Sequence, residues 1–194
     1  MWNTKYAWSS KSESYLEMDN KTILKDAKNI KLIVFDVDGV LTDGKLILGE
    51  DGNEYKSFYV RDGQGLVMLI KTECDVAVIT ARSSNIVAER MASLGIKHIY
   101  QGVENKDQAL KKLIDKLGIT FSEVAYVGDD VIDLPAMNKV ALPIAVADAH
   151  SEVKKIAKFI TENNGGQGAV REICELIMIA QNNFEKQIKT YLSS

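Results

Sequence analysis

The stretch Lys31-Leu-Ile-Val-Phe-Asp-Val-Asp-Gly-Val-Leu-Thr42 constrains this chain more than any other. Leu32 to Phe35 is a run of strand formers that ends in two aspartates, Asp36 and Asp38, followed by Gly39. An apolar run closed by a glycine reads as a buried strand. Carboxylates at its end are costly unless a cation, a proton or several hydrogen-bond donors hold them. Open α/β sheets collect ligands at the carboxyl ends of their strands. The segment therefore predicts a cation-dependent site at the top of a parallel sheet.

Three later pieces repeat the context. Asp75-Val-Ala-Val-Ile-Thr80-Ala81-Arg82 is an apolar run ending in a hydroxyl, with Ser83 and Ser84 placed to start a helix. Lys106 follows the short apolar stretch His98-Ile-Tyr100. Val124-Ala-Tyr-Val-Gly128-Asp129-Asp130-Val-Ile-Asp133 is another run ending in acids. Each sits where a strand hands over to a helix, and in a parallel sheet all such ends share one edge.

The rest of the pattern is strand then 3.6-period helix, which predicts a Rossmann-like parallel sheet with helices on both faces. Helices are expected over 84–94 and 106–117, stopped by Gly95 and Gly118, and over about 168–181. Leu110, Leu113, Ile114 and Leu117 read as a core face. A small β-hairpin, 45–48 with 55–60 turned at Asp51-Gly52, stands where a cap domain would be. Residues 1–29 form an N-terminal extension, loose over 1–13 and helical over 14–28. Residues 30–181 form the main domain, and 182–194 a polar tail.

At 194 residues the chain supports one α/β domain with a real core. A net charge of -3 gives no bulk electrostatic case for nucleic acid. Cys74 and Cys174 form no C-x-x-C and lie in apolar stretches, so buried free thiols in a reducing compartment are expected. The first ten residues carry no apolar core of signal-peptide length, and no run reaches membrane-spanning length. A cytoplasmic protein without a membrane partner is the expectation.

The chemistry that fits these pieces is phosphoryl transfer to an aspartate. Asp36 would attack phosphorus. Asp38 would protonate the leaving oxygen and then take a proton from the attacking water. Mg2+, held by Asp36, Asp129 and the backbone carbonyl of Asp38, would offset charge on the phosphoryl oxygens. Thr80 and backbone N–H groups near Gly39 and Ala81 would hydrogen-bond those oxygens, and Lys106 would place a point charge on them. Taken singly, Thr80 is an ordinary strand end, Lys106 a solvated lysine and Asp133 a helix-start residue. Asp130 orders the loop as readily as it binds metal.

Asp36-Val-Asp38-Gly-Val-Leu-Thr42, Thr80, Lys106 and Gly128-Asp129-Asp130 resemble the motifs of the haloacid dehalogenase superfamily of phosphatases. The resemblance runs from about Ile30 to about Gln181. Phe58-Tyr-Val-Arg-Asp-Gly63, Gly95 to Gly102, Ala145 to His150 and Gly165 to Glu172 are similar to the branch that hydrolyses an eight-carbon sugar-acid phosphate for lipopolysaccharide assembly. The resemblance implies Mg2+ as cofactor. It also implies substrate contacts from Asp38, Arg61, Asp62, Gly63, Arg82, Arg90 and Lys106. Related phosphatases of nine-carbon sugar acids often carry glutamate at the position of Arg82, so arginine favours the shorter substrate. Some members have a basic residue where this chain has Val67. For Arg90, eight residues beyond Arg82 on a helix, a surface salt bridge is the plainer reading.

Two other functions stay open at this stage: a nine-carbon sugar-acid phosphatase and a phospho-aspartate signalling module. The latter places its aspartate on a middle strand of the sequence, whereas Asp36 and Asp38 follow the first. With no lid in either gap between motifs, a homotetramer with active sites at subunit junctions is expected, its hairpins paired and Gly165-Gly-Gln-Gly168 with Arg171 approaching a neighbour's cleft.

Overall fold

The computed structural model describes residues 22–193. Helix α1 is seen over 22–28, so the part of the expected 14–28 helix before it, and the stretch 1–13, lie outside the described residues. Strand β1 (Leu32–Phe35) follows, then β2 (Ile47–Leu48), β3 (Glu54–Tyr55), α2 (Val60–Ile70) and β4 (Asp75–Ile79). Next come α3 (Asn85–Ser93), β5 (His98–Tyr100), α4 (Lys106–Leu117) and β6 (Val124–Gly128). Then α5 (Leu134–Met137), β7 (Leu142–Ala145), α6 (Ser151–Ile156), β8 (Phe159–Ile160), α7 (Ala169–Ala180) and α8 (Phe184–Leu192) complete the order.

Six strands form one parallel sheet in the order β5-β4-β1-β6-β7-β8. The chain builds outward from β1 to β4 and β5, then returns to β6 on β1's other side. That reversal is a topological switch point, where the crossovers diverge and leave a crevice at the strand carboxyl ends. β1 runs in register with both neighbours, Phe35 opposite Val78 and Val127. Asp36, Thr80 and Asp129 each lie one residue past their strands, so they emerge at the same edge of the sheet, Thr80 and Asp129 one residue beyond the level of Asp36. The central strands β1, β4, β6 and β7 are buried on both faces, and among the described residues Tyr126 and Phe35 are the bulkiest fully buried side chains. This explains why they read as continuous apolar runs.

Local signals set the helix ends. The Asn105 side chain accepts a hydrogen bond from Gln108 N–H at 3.2 Å and fixes the start of α4, which carries Lys106 in its first turn. Gly118 closes the same helix in the left-handed region at φ 67°.

One expectation needs correction. The hairpin is shorter than predicted: only Ile47–Leu48 pairs with Glu54–Tyr55, and Val60 already belongs to α2. The alternation that suggested a strand through 60 serves an extended lead-in instead, where Phe58 packs against the core. The polar segment after Gln181 carries no clear signal of structure in the sequence. It forms α8, because Phe184 and Ile188 at i, i+4 spacing pack against the core. Tyr191 hydrogen-bonds Gln64 at 2.6 Å and lies under the Lys71 ammonium, 5.5 Å from its ring centre.

Helix α7 seats the active loop. Gly165, just before it, is pressed on the chain after β1, and a Cβ there would come within 1.7 Å of the Gly39 carbonyl oxygen. Gly165→Ala is therefore expected to cost about 1–3 kcal/mol by overpacking and to move the loop bearing Asp38. Chemical denaturation and activity assays on the variant check both, and wild-type values in each would refute the contact.

Candidate active site

Lys106 is the centre of the site. Its ammonium, almost fully buried, lies 2.8 Å from Asp36 Oδ2 and 2.7 Å from Asp133 Oδ1. Burial alone would push this lysine down, but Asp36 and Asp133 outweigh it and hold the ammonium above its usual range. Asp133 is fully buried and fully occupied. Its Oδ1 also accepts from the Tyr126 hydroxyl at 3.1 Å, and its Oδ2 accepts the N–H groups of Asp129 at 3.1 Å and Asp130 at 3.4 Å. Asp130 itself is exposed and caps the next turn through Val131 N–H.

Asp36, Asp129 and Asp133 carry carboxylate oxygens that all lie within 4.8 Å of one another. They are not equivalent. Asp133's oxygens are spent on the donors above, whereas among the described residues Asp36 Oδ1 and Asp129 Oδ1 are buried with no hydrogen-bond partner. Buried unpartnered carboxylate oxygens are costly. Their hard, anionic character suits a small divalent cation. Asp36 and Asp129 are thus fit to hold Mg2+, with Asp133 behind them as the group that orients Lys106 and the Asp129 loop. Gly39 allows the approach: it sits at φ +94°, and a Cβ on it would meet Asp129 Oδ2 at 2.0 Å.

The electrostatics follow. Burial and then the charge of Asp133 push Asp36 up to about 6, against the pull of Lys106. Burial and then Asp36 and Asp133 push Asp129 up to about 8. Both carboxyl groups are protonated far more readily in the fold than at their ordinary value of 3.8.

The other expected residues fall as follows. Thr80 is buried at the end of β4, with Arg82 N–H 3.4 Å from its hydroxyl oxygen. Asp38 is partly exposed and contacts the Lys56 ammonium. Arg82 reaches over the cleft, 2.6 Å from Glu54 and 3.9 Å from Asp38. Asp62 is buried, and its carboxylate accepts from Arg171 N–H at 2.8 Å and Gly168 N–H at 3.3 Å, tying α2 to the start of α7. Gly63 leaves room for Arg90, whose Nη2 would lie 2.4 Å from a Cβ there. Among the described residues Arg90 has no ion-pair partner, so the surface salt bridge is not formed. Arg61 lines a separate depression of about 240 Å³ with Gln167 and Arg171, and no ion pair joins it to the Asp36 cluster.

Sequence reasoning missed three residues. Asp133 passed for a helix-start acid, although Gly128 was the clue: a Cβ there would strike Asp133 Cβ at 2.5 Å. Glu54 and Lys56 lay unnoticed in the hairpin, although alternation puts them on one face and Tyr55 on the other. A surface depression of about 1310 Å³ lies elsewhere, at the amino ends of the strands among Lys28, Lys31, Glu73 and Glu123. It is not the site, because none of the clustered carboxylates reaches it.

Comparison with known proteins agrees with this geometry. A family model described as haloacid dehalogenase-like hydrolase matches residues 71–173. The chain is 47% identical over 164 residues to 3-deoxy-D-manno-octulosonate 8-phosphate phosphatase of Escherichia coli K12, covering 84% of this chain and 87% of that one. The crystal structure of the enzyme of that name from Moraxella catarrhalis, in complex with magnesium, phosphate and KDO, matches with TM-score 0.85 at 47% identity, covering 87% of this chain and 97% of that one. The Yersinia pestis counterpart matches with TM-score 0.83 at 45% identity, covering 84% and 89%.

Two outcomes are expected. Since the folded-state values of Asp36 and Asp129 exceed 3.8, their contribution to stability is fully present below that pH and lost as pH rises through about 6 and about 8. In chelator, Tm should fall across that window, and magnesium should raise Tm most at its upper end. Asp129→Asn should flatten both trends, and parallel slopes in the two proteins would refute the assignment. Asp133→Ala leaves Lys106 and Tyr126 short of a partner and should destabilise by about 3–5 kcal/mol, a fall in Tm on the order of 10 °C. Calorimetry tests it, and a near-neutral variant would remove Asp133 from its supporting role. From the fold, the buried charge cluster and these matches, the chain belongs to the haloacid dehalogenase-like hydrolases.

Proposed function

We propose that the chain hydrolyses 3-deoxy-D-manno-octulosonate 8-phosphate to the free sugar acid and phosphate, with Mg2+ as cofactor, in lipopolysaccharide precursor synthesis in the cytoplasm. The observation that carries the reading is Asp36 at the switch point. Lys106 holds one of its oxygens, and the other is buried and bare. Such an oxygen is ready both for a cation and for attack.

Asp36 forms a bond to phosphorus as the bond from phosphorus to the sugar oxygen breaks, and Asp38 delivers its proton to that oxygen. Water then attacks the aspartyl-phosphate, Asp38 takes back a proton, and phosphate leaves. Lys106 and Thr80 hold the phosphoryl oxygens throughout. A bound Mg2+ on Asp36, Asp129 and the Asp38 carbonyl would supply positive charge to the same oxygens. Arg90, half-buried and unpaired, and Arg82 at the rim are suited to the sugar carboxylate, a match for guanidinium geometry. Val67 offers no such contact.

The test is phosphate release from a panel of sugar-acid phosphates with magnesium present. The eight-carbon ester should be preferred over a nine-carbon one, and Asp36→Asn should release no phosphate while keeping its fold. Turnover by folded Asp36→Asn, or a nine-carbon preference, defeats the mechanism or the substrate in turn.

We also infer a homotetramer. Among the described residues Ile47, Leu48 and Tyr55 of the hairpin are each more than half exposed. So small a hairpin is marginal alone, and an apolar face of this kind suits a second copy of the chain. Gln167 and Arg171 stand beside an open depression that a neighbour's residues could enter. Leu48→Glu should convert the assembly to smaller species in sedimentation and lower activity with it. An active tetramer in this variant would contradict the role of the hairpin.

A further inference from the structure

The hairpin does more than offer an apolar face. Alternation along β3 and the residue after it turns Tyr55 outward and brings Glu54 and Lys56 to the cleft. The Lys56 ammonium touches Asp38 Oδ1 and lies 3.1 Å from Glu54 Oε1, and its side chain is 1% exposed. Glu54 Oε2 lies 2.6 Å from Arg82 Nη2, and Arg82 Nε lies 3.9 Å from Asp38 Oδ2. The four side chains form a ring of alternating charge.

Docking of the hairpin does not explain this ring. A lysine is almost never buried so completely without a partner that needs it. Buried ion pairs seldom repay their desolvation better than apolar contacts of equal volume. Of the four members, Asp38 is the one assigned to proton transfer. Its carboxylate sits on a side chain that is 21% exposed and otherwise free to turn toward water. Lys56 occupies Oδ1, and Oδ2, which meets only the looser Arg82 contact at 3.9 Å, is the oxygen left for proton transfer.

We propose that Lys56, braced by Glu54, is a positioning residue that fixes the orientation of the Asp38 carboxylate for the proton-transfer steps. This rests on the assignment of Asp38 as the acid–base group, and it makes the hairpin part of the catalytic apparatus.

The experiment is a double-mutant cycle of Lys56→Met and Asp38→Asn, with Lys56→Arg alongside. Initial rates are measured on p-nitrophenyl phosphate with magnesium, and thermal melts on every variant. Hydrolysis of the phosphoenzyme still needs Asp38 with this ester. Lys56→Met should lower kcat about 10–100-fold, the scale of a misplaced catalytic group, and change KM little. In the Asp38→Asn background it should cost nothing further, and Lys56→Arg should recover most of the loss. Equal losses in both backgrounds, a KM rise at unchanged kcat, or a loss that tracks a collapse in Tm and resists Lys56→Arg would each overturn the proposal. Because the ester is generic, the cycle is independent of the sugar. Hydrolysis of p-nitrophenyl phosphate without any activity on the sugar-acid phosphate would strike the substrate assignment alone.

Discussion

The site depends on one buried ammonium between two carboxylates. Lys106 bridges Asp36 and Asp133, and neither acid would be tolerable so deep without it. The bridge also divides the labour within Asp36. Oδ2 is held and, among the described residues, Oδ1 has no partner, so one carboxylate is anchored at one oxygen and open at the other. Asp133 carries the arrangement outward, since it grips the backbone of Asp129 and Asp130 with the oxygen that Lys106 does not use.

Sheet order makes this geometry inexpensive. With β1 in the middle and the chain departing to either side, residues from distant parts of the sequence converge without a long loop. The side chains need only sit one residue past their strands. The fold thus supplies the alignment, and the polar side chains supply the charge pattern that phosphoryl transfer requires.

Much of this was legible in the chain itself. Buried parallel strands announce themselves as apolar runs, and acids at their ends are conspicuous because burial penalises them, so Asp36, Asp38 and Asp129 stood out. Lys106 and Thr80 were visible only through shared context. Less legible was whatever depended on contact between distant segments. Asp133 looks like any acid opening a helical turn until Tyr126 and Lys106 close on it. Lys56 sits in a hairpin whose length was overread, and its partner is eighteen residues upstream. The α8 helix was hidden because only a few of its residues are apolar, and they pay off as a face once the core is present. Asp62 drew attention as a substrate contact, while its carboxylate closes on backbone N–H groups more than a hundred residues away.

That last pairing bears on when the molecule becomes competent. The Asp62 carboxylate reaches across 106 and 109 residues to Gly168 and Arg171, and Gly165 beside them braces the loop of Asp38. During vectorial synthesis, at about 5–20 residues per second, Asp36, Asp38, Thr80, Lys106 and Asp129 are all made before the segment that braces them. A nascent chain therefore carries all its chemistry while still lacking the buttress that aligns it. Alignment waits on the docking of Gly165 to Arg171, so the brace is a later-made part of the fold than the groups it braces.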